Sequence, residues 1–124
     1  MRLLLDTHAL LWWLADESLT EQAREAIADP GNLVMVSAAS AWEISIKKAL
    51  GKLSAPDDLE QQVNDSGFAE LPISIAHGVA AGRLPRHHDD PFDRMLIAQA
   101  FEGGLIIVTH DRRFSDYNVA TLST

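Results

Sequence analysis

The chain has 124 residues, of which 47% are hydrophobic, and its formal net charge at pH 7 is −8. These values are typical of a single globular domain with its own core, and they exclude an intrinsically disordered chain. The chain contains no cysteine, which excludes disulfide bonds and thiolate metal sites. No apolar run reaches the roughly 18–20 residues of a membrane span, and none predicts a signal peptide. We therefore expect a cytoplasmic protein with no membrane partner.

The negative net charge argues against a protein that coats nucleic acids generally, because such proteins are normally basic. The cations are unevenly distributed, however. Five arginines lie between residues 83 and 113, and three lysines lie between residues 47 and 52. A local phosphate-binding surface therefore stays compatible with the composition.

Short apolar runs alternate with helical patterns along the chain. Near-continuous apolar runs are typical of strands that are buried on both faces. Their alternation with helices predicts an α/β fold with a largely parallel sheet, in one domain spanning residues 1–124. In chain order the predicted elements are strand "RLLLD", helix "THALLWWLA", helix "SLTEQAREAIA", strand "NLVMVS", helix "SAASAWEISIKKALGK", helix "PDDLEQQVNDSG", short strand "FAELPI", helix "SIAHGVAAGRL", helix "PFDRMLIAQAFE", strand "LIIVT" and edge strand "VATL".

Capping residues mark the predicted helix starts. Ser18 and Glu21 have the spacing of a capping box before the second helix, with Thr20 as a rival cap. Ser37 is the predicted cap of the third helix. The apolar face of that third helix is predicted to comprise Trp42, Ile46, Ala49 and Leu50.

Four acidic residues from separate regions are placed near the ends of predicted strands. Asp6 ends the first strand, and Asp111 follows "LIIVT". Glu43 lies on the helix after "NLVMVS", and Asp93 lies in the first turn of the helix that precedes "LIIVT". Sites in parallel sheets collect beyond the carboxyl ends of the strands, so these acids could converge. Clustered carboxylates repel each other unless a cation is bound, and oxygen-only ligands suit hard cations.

Each acid also has a purely structural interpretation. Asp6 could cap the following helix, and Asp111 could be a turn residue. Glu43 could form a weak i,i+4 ion pair with Lys47. Asp93 could simply favour the dipole of its helix. The individual signals are weak, and their joint placement carries the metal-site prediction.

The octet "HHDDPFDR" separates into structural and functional residues. Proline is favoured at the first helical position, which makes Asp90 the predicted N-cap before Pro91. That cap does not require an acid at Asp93, so Asp93 is the preferred site residue and Asp90 the alternative ligand. His87 and His88 are predicted to have surface or loop roles, since adjacent histidines make a poor metal chelate.

Two further histidines stand beside strand-end acids. His8 follows Asp6 by two residues, and His110 directly precedes Asp111. Either could touch a substrate, but the sequence favours packing or hydrogen bonding for both. No phosphate-binding glycine loop, HExxH helix or serine nucleophile elbow occurs in the chain.

Four stretches resemble the PIN-domain ribonucleases, and in particular the VapC-type toxins of toxin–antitoxin modules. They are "LLLDTHALLWWL", "SAASAWEISIKKALGKL", "DPFDRMLIAQA" and "LIIVTHDRRF", in the order of the family and spanning nearly the whole chain. The resemblance implies a PIN-like three-layer fold with a short, mostly parallel central sheet flanked by helices. It also implies an endoribonuclease that uses Mg²⁺ or Mn²⁺, forms a homodimer and is blocked by the C-terminal segment of an antitoxin.

The resemblance carries the catalytic and metal-ligating roles to the same acids that were selected by placement. The hydroxyl of Thr109 matches the family's residue beside the last acid. We expect phosphates of the RNA to be held by basic side chains, although each of these could equally be solvated surface. The implied catalytic and metal residues are Asp6, Glu43, Asp93 and Asp111, and the predicted substrate-binding residues are Thr109, Arg94, Arg112 and Lys47, with Arg113 and Arg86 as further candidates.

Three other functions are compatible with the sequence to a lesser degree. An RNA-processing nuclease would use the same site without a toxin role. A non-catalytic interaction module would keep only the fold. A phosphatase with an aspartyl nucleophile is disfavoured, because it needs an acid two residues after Asp6, where this chain has His8.

Overall fold

The computed structural model describes all 124 residues. Every predicted strand and helix is present, and a short 3₁₀ helix is added after the fourth strand. The elements are β1 (Arg2–Leu5), α1 (Thr7–Ala15), α2 (Glu21–Ala28), β2 (Leu33–Ser37), α3 (Ala38–Ala49), α4 (Leu59–Asp65), β3 (Ala69–Leu71), α5 (Ile75–Arg83), α6 (Pro91–Gly103), β4 (Ile106–Thr109), the 3₁₀ helix (Arg112–Tyr117) and β5 (Thr121–Ser123).

The five strands form one sheet in the order β3-β2-β1-β4-β5, and every neighbouring pair is parallel. β1 lies at the centre, where Leu4 pairs with Met35 on one side and Ile107 on the other. The chain moves outward from β1 to β3 and then crosses to β4, so the connections diverge between β1 and β4. Such a switch point opens a crevice beyond the carboxyl ends of the strands.

Alternate residues of β1 face opposite sides of the sheet, and each side is covered by helices. Leu3 and Leu5 belong to a cluster that includes Leu10 of α1 and Ile27 of α2. Leu4 belongs to a second cluster, formed with residues of α6, β4 and the 3₁₀ helix. All three leucines are fully buried. The apolar run of β1 follows from this burial on both faces, and the three-layer α/β fold is confirmed.

Side-chain caps start the helices, with one difference from the prediction. Thr20, the rival cap, accepts a hydrogen bond from the Ala23 N–H at 3.2 Å and starts α2. Ser18 has a positive φ of 61° and lies outside the helix. Ser37 and Asp90 cap α3 and α6 as predicted.

The predicted apolar face of α3 is wrong. Trp42 and Leu50 are each 62% exposed. The helix instead buries the face formed by Ala39, Ser40, Glu43 and Ile44. Small and polar residues line this face because α3 packs closely against α1 and α6, where Thr7 satisfies the buried polar groups. Hydrophobicity alone therefore selected the wrong side of the helix.

The longest helix, α6, has 13 residues. Crossing a bilayer takes roughly 20 apolar residues in a helix. No helix of this structure has both the length and the apolar character for a membrane crossing.

Candidate active site

All four acids selected from the sequence line one cavity of about 190 Å³ beyond the carboxyl ends of β1 and β4. None of the ten lining residues is hydrophobic. A larger cavity of about 420 Å³ lies beside α3, α4 and β3, but half of its lining is hydrophobic and none of the four acids reaches it. The lining residues of the acidic cavity are Asp6, Thr7, His8, Glu43, Lys47, Asp90, Asp93, His110, Asp111 and Arg113.

Asp6 is held at the end of β1 by two hydrogen bonds. Its Oδ1 accepts from the Ala9 N–H at 2.7 Å, which caps α1, and its Oδ2 accepts from the Thr109 hydroxyl at 2.6 Å. The side chain is buried, and this burial raises the pKa of Asp6, although the bonds from Thr109 and Ala9 oppose the shift. Both interpretations of Asp6 are therefore compatible, because the cap uses one oxygen of a carboxylate that also faces the cavity.

Glu43 is buried on α3 between a hydroxyl and a cation. The Thr7 hydroxyl donates to Oε1 at 2.5 Å, and Lys47 Nζ contacts Oε2 at 2.5 Å. The i,i+4 pair anticipated from the sequence is present, and its hydrogen bond raises the pKa of Lys47. Lys47 lines the cavity as well, so the pair brings positive charge to the acidic site.

Asp93 has a carboxyl whose pKa is strongly raised. Burial and the neighbouring charge of Asp90 raise its pKa to about 7, against a smaller opposing effect of the hydrogen bond with His88. Asp90 itself caps α6, where its Oδ1 accepts from the Phe92 N–H at 2.8 Å and the Asp93 N–H at 3.3 Å. Asp93 thus stands in the first turn of the helix, as predicted.

Asp111 follows β4 and caps the 3₁₀ helix. Its Oδ1 accepts from the Arg113 N–H at 2.9 Å, so it is a turn residue as well as part of the cavity. The Arg113 guanidinium binds both carboxylate oxygens, with Nη2 at 2.8 Å from Oδ2. This contact lowers the pKa of Asp111.

His88 was assigned a surface or loop role, and the surface interpretation is wrong. The residue lies in the loop before α6, but only 4% of it is exposed. Its Nε2 lies 2.8 Å from Asp93 Oδ2 and 3.8 Å from Asp111 Oδ2. The sequence contained a weak signal, namely its position two residues before the capping Asp90. His87, by contrast, is exposed as expected.

The structure separates the predicted basic residues into two groups. Lys47 and Arg113 line the acidic cavity, whereas Arg94 and Arg86 line a different one. Arg112 is exposed and lies outside both linings.

Arg94 is occupied by backbone oxygens. Its Nη2 donates to Ala81 at 2.8 Å and Leu84 at 2.9 Å, and its Nη1 donates to Pro85 at 3.0 Å and His88 at 3.2 Å. These bonds join the end of α5 and the following loop to α6. The prediction that Arg94 holds RNA phosphates finds no support in this geometry.

His8 and His110 pack at the mouth of the cavity. The His110 ring lies 4.8 Å from the Trp12 ring, and the two histidine rings are 5.8 Å apart. The packing role favoured from the sequence is present. Both rings also line the cavity, so contact with a substrate stays a prediction for each.

The donor set of the cavity fits a hard divalent cation. Five carboxylates gather in a space whose lining is entirely polar, and two of them have pKa values raised by burial. Lys47 and Arg113 neutralise only Glu43 and Asp111. Asp6, Asp90 and Asp93 have no such cationic partner, and a divalent ion would relieve their repulsion.

Residues 3–120 match the family model described as PIN domain. The chain belongs to the PIN-domain family. This PIN domain is 31% identical over 122 residues to Ribonuclease VapC22 of Mycobacterium tuberculosis. The aligned region covers 92% of this chain and 90% of that relative. It is also 38% identical over 72 residues to Ribonuclease VapC16 of the same organism, covering 56% of the chain and 50% of the relative.

Solved structures share the fold of this PIN domain. VapBC2 from Rickettsia felis, bound to a DNA fragment from its promoter, has a TM-score of 0.74 at 13% identity, covering 99% of this chain and 98% of that one. DNA-bound VapBC from Salmonella typhimurium has a TM-score of 0.72 at 17% identity, and the match covers 99% of this chain and 98% of that one. At these identities the similarity establishes the common fold.

Proposed function

We propose that this PIN domain is a metal-dependent endoribonuclease and the toxin of a toxin–antitoxin module. The observation that carries the proposal is the convergence of Asp6, Glu43, Asp93 and Asp111 in one polar cavity. The 31% identity to a protein named as a ribonuclease supports the reaction. The fold shared with a Mycobacterium tuberculosis structure described as a member of the VapBC family of toxin-antitoxin systems supports the toxin role.

Asp6, Glu43, Asp93 and Asp111 would hold Mg²⁺ or Mn²⁺, with Asp90 as an alternative ligand. Oxygen-only donors without cysteine favour these hard cations. Such a cation lowers the pKa of water to make hydroxide available near neutral pH, and it neutralises charge on a phosphodiester under attack.

The residues around the acids prepare them for this role. Thr109 and Thr7 donate hydrogen bonds that fix one oxygen each of Asp6 and Glu43. Lys47 and Arg113 can exchange their carboxylate partners for RNA phosphates, which need the same donors. Asp93, whose pKa is about 7, would hold the cation in its deprotonated form. We expect products with a 5′-phosphate and a 3′-hydroxyl.

The proposal includes two protein partners. By analogy with the VapBC complexes, a cognate antitoxin would bind the chain and block the cavity. A homodimer would form the functional toxin. We expect the protein to act in the cytoplasm, where it would meet its RNA substrate.

Cleavage of RNA by the purified, antitoxin-free protein tests the reaction. We expect cutting only with added Mg²⁺ or Mn²⁺, and none after Asp6→Asn or Asp93→Asn, with unchanged circular dichroism. The labelled ends of the products report the predicted 5′-phosphate. Cutting that persists in EDTA and in both variants would exclude the metal mechanism.

Expression in bacteria tests the toxin role separately from the chemistry. We expect the wild-type chain to arrest growth, Asp6→Asn to be harmless, and co-expression of a small gene adjacent to this one to restore growth. Cleavage in vitro without growth arrest would instead favour a nuclease that processes RNA.

A further inference from the structure

We infer that His88 is a positioning residue, which orients Asp93 for metal binding without becoming a ligand itself. The inference rests on the proposed function, because it assigns a role within the same cavity. His88 is buried, titratable and unused by the mechanism above.

The imidazole of His88 is fixed by contacts on three sides. Nε2 lies 2.8 Å from Asp93 Oδ2, and Nδ1 accepts a hydrogen bond from the Asp90 N–H at 3.2 Å. The ring meets Phe114 edge to face, with ring centroids 6.2 Å apart. One histidine thus connects the N-cap of α6 with the acid three residues further along the helix.

These bonds define which nitrogen carries the proton. The backbone N–H of Asp90 can only donate, so Nδ1 must accept and the proton of the neutral ring lies on Nε2. Nε2 therefore donates to Asp93 Oδ2. This bond fixes the orientation of the carboxylate and leaves Oδ1, which makes no hydrogen bond, for a cation.

The same geometry argues against His88 as a ligand. Nε2 and one oxygen each of Asp93 and Asp111 lie within 4.8 Å of one another, a spacing that a metal could use. A ligating nitrogen needs a free lone pair, however. Nε2 carries the proton, and the lone pair of Nδ1 is used by Asp90. Carboxylates that bind metals are commonly held by such outer hydrogen bonds.

The backbone of the loop is held independently of the imidazole. The His88 N–H donates to the Tyr117 hydroxyl at 2.8 Å, and its carbonyl accepts from Arg94 at 3.2 Å. The Tyr117 hydroxyl donates to the Pro85 carbonyl at 2.7 Å. A change of the side chain alone should therefore leave the loop in place.

Two substitutions divide the functions of the ring. In His88→Gln the amide nitrogen reaches the position of Nε2 and keeps a donor for Asp93. In His88→Asn the shorter amide keeps an acceptor for the Asp90 N–H but cannot reach Asp93. His87→Gln is the matched control, because it makes the same substitution at the neighbouring, exposed histidine. The His87 ring packs on Tyr117, with ring centroids 5.1 Å apart.

The experiment measures Mn²⁺ binding to the full chain by calorimetry and by electron paramagnetic resonance, without antitoxin. We expect His88→Asn to weaken binding by about 10- to 100-fold. His88→Gln and His87→Gln should stay within about threefold of wild type. Pulsed spectra of wild-type protein should show no nitrogen bonded directly to Mn²⁺.

Several outcomes would overturn the inference. Wild-type affinity in His88→Asn would remove the positioning role, and equal losses in His88→Gln and His88→Asn would show that the ring matters only for packing. A directly bonded nitrogen that disappears in both variants would make His88 a ligand. If the wild-type chain binds no Mn²⁺, the proposed function fails together with the role of His88. If Asp6→Asn loses Mn²⁺ binding while His88→Asn keeps it, only the role of His88 is refuted.

Discussion

At the scale of single residues, three acids of the cavity lining also cap a helix: Asp6, Asp90 and Asp111. Asp6 and Asp111 cap the elements that follow them, while the same carboxylates line the cavity. Asp90 caps α6 and raises the pKa of its neighbour Asp93. The structural interpretations therefore did not compete with the functional ones, because a strand end followed directly by a helix start places a capping acid at the site.

Substitutions of Asp6 separate these two roles. Asparagine caps helices as well as aspartate does, so Asp6→Asn should keep α1 and reduce RNA cleavage by about 100-fold or more. Because burial raises the pKa of Asp6, loss of its charge should not lower the thermal stability of the metal-free protein at neutral pH. Asp6→Ala should in addition lose about 1 kcal/mol of stability with the cap. Equal melting temperatures for both variants would contradict the capping role.

Asp93 should make the stability of the metal-free protein depend on pH. Its pKa is about 7 when folded and about 4 when unfolded. Its protonation thus favours the folded state, and this contribution is complete below about pH 4 and lost as the pH rises through about 7. Asp93→Asn should therefore stabilise the protein on the order of 4 kcal/mol at about pH 8, and roughly half as much at about pH 5.5.

Urea unfolding in EDTA at the two pH values measures this effect. Asp89→Asn serves as the control. It removes the same negative charge from a side chain that is exposed rather than buried. A gain in stability that is equal at both pH values, or equal in the two variants, would show that Asp93 is not held protonated by its surroundings.

At the scale of elements, the site depends on how α6 is attached to the rest of the chain. Arg94 connects α6 to the end of α5 and to the loop that contains His88. Buried Gln99 connects α6 to β2, since its Oε1 accepts from the Ser37 hydroxyl at 2.6 Å. These contacts bring Asp90 and Asp93 to the carboxyl ends of the strands, where Asp6 follows β1.

Removal of the Arg94 guanidinium should loosen this attachment. Arg94→Met keeps most of the apolar stem but leaves several carbonyls without donors, and we expect a loss of about 2–3 kcal/mol in the free energy of unfolding. Cleavage should fall because the loop before α6 moves, while RNA affinity stays near wild type. Arg112→Met, which changes an exposed arginine, should leave stability unchanged. A weaker RNA affinity of Arg94→Met with normal stability would restore the phosphate-binding role.

At the scale of the whole molecule, the net charge of −8 and the proposed RNA substrate are compatible. The cavity concentrates five carboxylates, so a bound cation would offset a substantial share of the negative charge where the proposed RNA substrate would approach. Binding of a metal to the folded chain alone must also stabilise that chain, because the unfolded chain does not gather these acids.

We therefore expect Mn²⁺ to raise the melting temperature. At 100 times the dissociation constant the gain is about 2.7 kcal/mol, which scanning calorimetry resolves. EDTA should reverse the shift, and Asp93→Asn should reduce it. The same shift in the wild type and in Asp93→Asn would place the cation somewhere other than the acidic cavity.

The sequence by itself determined the order of strands and helices, most of the caps and the positions of the four acids. These features are local, since apolar runs, breakers and capping residues act within a few positions of one another. Asp6 and Asp111 could be selected because they lie one and two residues past the ends of strands that the pattern already defines.

Only the tertiary structure decided the buried face of α3, the role of Arg94 and the burial of His88. The buried face of α3 depends on the bond between Thr7 and Glu43, which are 36 positions apart. His88 is held by Tyr117, which is 29 positions away. Trp42 is more hydrophobic than Ser40 or Glu43, yet it is the one left exposed, because Thr7 on α1 satisfies the polar face. Which polar groups find partners is settled by packing, and no local pattern encodes it.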